Sequence, residues 1–236
     1  MILKYICHSI ISIMNKKNII IVFLVLIAAL LAGYFYFTIF YSKSNQTDKI
    51  YTQNDFPDAL KTMSQEILDK SLIDLNKQYQ KLKEGDHVYI RWINVGILKK
   101  RLNDYIGAEQ AWLNAIDYNS DQYLAYGNLA DLYLFDLGQY QKAEEYYLKV
   151  LSMDKNNYNY YHGIASLYRY NLTDKKDQVE AWMLKGAENN PAEAESYYLY
   201  LANYFYEKGL NLTKAKLYSQ KTLKLNPELK DQLPNF

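Results

Sequence analysis

Cysteine occurs once, at Cys7, so no intramolecular disulfide can staple this chain. Histidine occurs three times, at His8, His87 and His162, with no metal-ligand spacing among them. HExxH, GxGxxG and Walker-type phosphate loops are all missing, and no acid/base cluster is apparent. These absences speak against an enzyme, a cofactor, a metal centre or a small-molecule substrate. Charge of one sign is also not in excess, with 27 Lys and Arg against 26 Asp and Glu. Residues 1–41 hold Lys4, Lys16 and Lys17 and no acid, which leaves 24 basic residues (27 − 3) against 26 acidic ones in the remainder. A remainder with net charge −2 (24 − 26) offers no electrostatic footprint for nucleic acid.

Charge is absent over one long stretch, the 23 residues Ile19–Tyr41. A helix of that length extends roughly 34 Å, enough for a bilayer core of about 30 Å. Its content of Ile, Leu, Val and Phe suits hydrocarbon, and Tyr34, Tyr36 and Tyr41 suit the headgroup boundary. The expected organisation therefore begins with a short cytoplasmic segment, 1–17, and a single transmembrane helix, 18–41, that places the chain in a lipid bilayer. A cleaved signal peptide, with Lys16 and Lys17 as its basic region, is the alternative and would yield a secreted or periplasmic assembly factor. Against it, the apolar run continues through Tyr34–Phe40 and contains no small-x-small cleavage site. Tyr34 stands where a lipidated cysteine would have to follow Leu30-Leu31-Ala32-Gly33. The modest excess of lysine before the span puts the N-terminus in the cytoplasm and the large domain outside. Met14-Asn15-Lys16-Lys17 reads as a natural start, so translation is expected to begin at Met14. Otherwise Met1–Ile13 is a short amphipathic or second apolar segment and Cys7 a juxtamembrane palmitoylation site.

Residues 42–56 are polar, lack an apolar period and read as a linker. Pro57 opens a helical stretch over 57–85, which Gly85 stops, with Leu68, Leu72, Leu75, Tyr79 and Leu82 at helical spacing. From Asp86 the chain repeats. Ala108, Ala143, Val179 and Ala215 lie 35, 36 and 36 residues apart. Trp112, Tyr147, Met183 and Ser219 keep the same intervals, as do Ala115, Val150, Gly186 and Thr222, and then Ser120, Lys155, Pro191 and Pro227. One period held by four columns requires four stacked units.

The pattern resembles the tetratricopeptide repeat family, whose units of about 34 residues are pairs of antiparallel helices, A and B. The second unit carries it best, with Tyr126, Leu129, Ala130 and Tyr133 in helix A, Gly138 and Tyr140 at the turn, and Ala143 and Tyr147 in helix B. Trp92, Val95 and Gly96, then Tyr161, Ile164 and Ala165, then Tyr198, Leu201 and Ala202 fill the corresponding helix A places. The sequence departs from the pattern where Lys99 stands in place of a tyrosine, and where units lengthen at Asp136-Leu137, Asn171–Lys175 and Asn211-Leu212. The resemblance implies an all-α fold: after the transmembrane helix, an α-solenoid of about four hairpins over 86–227, capped by the 57–85 helix and by a tail, 228–236.

It further implies a protein or peptide partner held in the concave groove of the A helices. The groove positions are Asp131, Leu134, Phe135, His162, Ser166, Arg169, Tyr170, Asn203 and Tyr206. Ile93 and Ile97 stand where relatives that grip C-terminal carboxylates use Lys and Asn, so that ligand class is not expected. A mixed aromatic and polar groove suits an apolar or Tyr-rich partner helix. Asp131 and His162 can meet across neighbouring A helices, which is common without catalysis. The sequons at Asn171 and Asn211 read as helix caps, with Asn in a left-handed conformation and Thr capping the next helix; a third lies at Asn45. The functional expectation is a membrane-anchored scaffold in a cell-envelope complex.

Overall fold

A computed structural model describes residues 21, 24, 25, 27–34 and 49–236. The chain divides into two units, 1–50 and 51–236. In the first unit, the described residues among 21–34 are helical and exposed. Among the described residues no helix is long and apolar enough to cross a membrane. Most of the expected span lies outside them, as do the flanking Lys16 and Lys17, the Met14 start, Cys7 and the Asn45 sequon.

The second unit is helical throughout its regular elements. In chain order these are α1 (Pro57–Thr62), α2 (Gln65–Lys83), α3 (Val88–Arg101), α4 (Tyr105–Tyr118), α5 (Leu124–Asp131), α6 (Tyr140–Met153), α7 (Tyr158–Tyr170), α8 (Val179–Asn189), α9 (Ala194–Tyr206) and α10 (Leu212–Leu225). Four hairpins follow α2, with A helices α3, α5, α7 and α9 and B helices α4, α6, α8 and α10, and each A helix after the first also packs on the preceding B helix. One hairpin cannot bury both apolar faces alone, so stacking forms the core.

The small and large columns explain how closely the helices approach. Gly96 faces the Trp112 indole, and a methyl group on Gly96 would lie 2.3 Å from Nε1. A methyl group on Gly163 would lie 2.4 Å from the Tyr147 ring. Trp112 and Tyr147 are fully buried against these glycines, and the Trp112 indole donates to the Ile93 carbonyl at 3.2 Å. Helix starts follow local chemistry. Asp104 accepts from the Gly107 amide at 2.8 Å, and Asn211 accepts from the Lys214 amide at 3.0 Å. Asn211 thus caps α10 directly from an extended conformation, and the left-handed place before it belongs to Gly209, at φ 65°. Asn171 is right-handed, so neither sequon asparagine forms the expected left-handed cap.

Two expectations need revision, and two departures from the repeat pattern take a definite form. The 57–85 helix is broken, because Met63 and Ser64 turn extended between α1 and α2. Residues 51–56 are not linker: Tyr51 and Phe56 are buried, and the Asn76 side chain grips the Tyr51 backbone at both its amide and its carbonyl, 2.8 Å each. The extra residue of the second unit sits in a π-helical turn, Leu132–Asp136, which continues α5. Lys99, in the tyrosine column, is buried; its ammonium meets Asp104 at 2.8 Å and lies 4.9 Å from the Tyr51 ring centroid.

A polar column ties each unit to the next. Glu109, Glu144 and Glu180 are 35 and 36 residues apart. Tyr133, Tyr168 and Tyr218 donate to them at 2.5, 2.5 and 2.6 Å, and Lys175 and Lys214 pair with Glu144 and Glu180. Burial pushes the Glu144 and Glu180 carboxyls up, but the lysine and tyrosine donors outweigh it and hold both below the usual 4.5.

Candidate functional site

The A-helix face is built from the ends of α5, α7 and α9. In the π turn, Leu132, Tyr133 and Leu134 are buried while Phe135 is 64 % exposed. One repeat later Tyr170, the last residue of α7, is 61 % exposed. These two rings are the most exposed large apolar side chains on the A helices. Leu134 is a core residue, not a groove residue: the wider π turn rotates it inward and leaves Phe135 to project.

Arg169 is not free to grip a partner. Its guanidinium pairs with Glu207 and lies 4.8, 5.3 and 5.8 Å from the ring centroids of Tyr170, Tyr204 and Tyr200. Such stacking uses the weak hydration of guanidinium and fastens the end of α7 to α9. Ser166 is buried on α7, three residues before Arg169. Asn203 and Tyr206 are exposed on α9, but both already bond the tail, at Gln232 and Asn235.

Asp131 and His162 come within electrostatic reach of each other without becoming an acid/base pair. The Asp131 carboxylate accepts from the Tyr147 hydroxyl at 2.6 Å. Burial raises its pKa, against the pull of Tyr147 and Lys100. His162 lies between the rings of Tyr158 and Tyr200, at 5.8 and 5.3 Å. Burial lowers its pKa from 6.5, Arg169 lowers it further and Asp131 opposes both. Among the described residues no three His, Cys, Asp or Glu side chains gather as a metal site would need.

These shifts predict a two-stage acid profile. His162 has a folded pKa below its unfolded value, so the stability it permits is complete above pH 6.5 and declines as pH falls below that. Glu144 and Glu180 are also depressed; their contribution is complete above pH 4.5 and is lost as pH falls through the lowered folded values. Melting temperatures taken from pH 8 to 3 should show both declines. His162→Gln should remove the first and leave the second.

Sequence reasoning missed Tyr200, Tyr204 and Glu207, the groups that hold Arg169. Tyr200 and Tyr204 are four apart on one helix face, a visible signal, whereas Glu207 arrives through the loop after α9. No curated protein matches the chain. The tetratricopeptide repeat family model matches residues 123–157, the stretch that spans α5, the π turn and α6; the second hairpin is thus identified as a tetratricopeptide repeat, which supports that family for the chain.

Proposed function

We propose that this chain is a membrane-anchored protein-interaction scaffold that binds a partner helix or peptide on the A-helix face and serves in organising a cell-envelope complex. The observation that carries the binding reading is the pair Phe135 and Tyr170, left exposed one repeat apart in an array that buries its other A-helix aromatics more fully. Interface energy concentrates in a few central aromatic residues, and an apolar partner face would cover both rings. The tetratricopeptide match at 123–157 supports a protein partner and a module that is not itself an enzyme. The anchor reading rests on the charge-free run Ile19–Tyr41, with the N-terminus in the cytoplasm and the array outside. A cleaved signal would make the same array a secreted or periplasmic assembly factor.

One experiment tests both parts. A photo-crosslinking amino acid is placed at position 135 in the full chain, and a control carries it at exposed Tyr118 on α4. Adducts formed from position 135 and not from 118 are expected in membranes washed with alkaline carbonate, on a chain of full length. Phe135→Ala with Tyr170→Ala should weaken binding of the captured partner by about 2 kcal/mol with helical content unchanged. Adducts equally strong from both positions would overturn the groove reading, and a chain shortened to begin near Tyr34 would replace the anchor with a cleaved signal.

A further inference from the structure

The tail after α10 shows what chemistry the end of the array can grip. Pro227–Gln232 forms a 3-10 turn, and Leu233 then packs half-buried against the core. Pro234 holds Leu233 extended, at φ −89° and ψ 154°. The Asn203 amide donates to the Gln232 carbonyl at 3.3 Å, and the Tyr206 hydroxyl donates to the Asn235 carbonyl at 2.8 Å. The Phe236 ring meets Tyr206 edge-on at 5.5 Å and lies 5.5 Å from the Lys216 ammonium. Phe236 only partly fills its seat. It stays 57 % exposed, in a cleft of about 500 Å³ lined also by Tyr206, Gly209, Leu212 and Lys216.

Two of these grips are on backbone carbonyls, which every sequence offers. The side-chain selectivity lies in the aromatic seat, where Tyr206 supplies a ring edge and Lys216 a cation. We propose that the α9–α10 end of the array is a docking site for an extended peptide segment bearing an aromatic residue, and that residues 233–236 occupy it in cis as a tethered competitor. Its seat stands on Tyr206, one repeat beyond Tyr170 on the same A-helix face, but uses neither Phe135 nor Tyr170. A short tether supplies an effective concentration on the order of millimolar. A tail that stays seated under those terms binds its site more tightly than about 1 mM when supplied as a free peptide, and a partner segment must outcompete that.

The test uses the full chain in mild detergent and a fluorescent, amidated peptide with the sequence of residues 230–236, read by anisotropy. The unmodified chain should bind the peptide weakly. Phe236→Ala, which loosens the resident tail, should bind it about tenfold more tightly or better, as should a chain lacking residues 233–236. Adding Tyr206→Ala to Phe236→Ala should abolish the gain, while Phe135→Ala should change nothing, which separates this site from the central face. Circular dichroism melts of each variant establish that the array remains folded. Equal affinity of the unmodified and Phe236→Ala chains, or no binding to the Phe236→Ala chain at millimolar peptide, would overturn the proposal.

Discussion

Tyr147→Ala is expected to lower the melting temperature of the array by about 6–20 °C. Tyr147 is fully buried, packed on Gly163 of the next hairpin, and its hydroxyl is hydrogen-bonded to Asp131. Truncation opens a cavity at a junction between units and strips the half-buried Asp131 carboxylate of its donor. Large-to-small aromatic changes cost about 3–5 kcal/mol, and a unit of this size loses about 2–4 °C per kcal/mol. Tyr147→Phe separates the two contributions. It keeps the ring and removes the hydroxyl, so it should cost about 1–3 kcal/mol. A Phe variant as unstable as the Ala variant would mean that the hydrogen bond, and not the packing, holds this junction.

Lys99→Ala should rank second, at about 3 kcal/mol. The lysine is 6 % exposed and pairs with Asp104, which also caps α4 through the Gly107 amide. Removing the cation leaves the half-buried Asp104 carboxylate without its ion partner and empties the place the ammonium fills against the Tyr51 ring. A buried pair costs much when one partner is removed and little when both become neutral. Lys99→Met combined with Asp104→Asn should therefore recover most of the loss, since Asn retains the cap. Chemical denaturation of the two variants beside the parent decides the matter. A double variant no better than Lys99→Ala would show that the ion pair itself stabilises the first hairpin.

The two residues differ in how much of their role is legible in the sequence. Tyr147 is readable as a packing residue because it shares an interval with Trp112 and Met183, and a bulky column opposite a small one has only one place in a stacked hairpin. The glutamate column at 109, 144 and 180 keeps the same intervals and is equally readable, but its role is not, because its tyrosine and lysine partners come from the following unit at unequal spacings. Lys99 is readable only as an exception. Its partner Asp104 is close in sequence, but the Tyr51 ring that roofs it comes from a segment that composition marks as linker.

The candidate face is the least legible part. Phe135 and Tyr170 are exposed on the A helices, whereas Leu134 is buried, because a π turn adds one residue and its effect on rotation has no sequence period to betray it. Arg169 has the chemistry of an anchor for a partner. Only in three dimensions does it meet Tyr200, Tyr204 and Glu207, and a guanidinium so engaged contributes to the fold before it can contribute to binding.

By itself, then, the sequence determined what depends on periodicity: the helical class, the number of hairpins, the small and large columns that let them stack, and the charge-free run near the start. These follow from chain-local spacing, because residues three or four apart share a helix face and residues one repeat apart share an environment. Tertiary structure decided which polar groups are satisfied and which surfaces stay open. That includes the strap at Tyr51–Phe56, the clamp on Arg169 and the tail seated on Tyr206. The physical reason is that hydrogen bonds and ring contacts are set by distances of a few ångströms between segments far apart in the chain, and no local spacing encodes such distances.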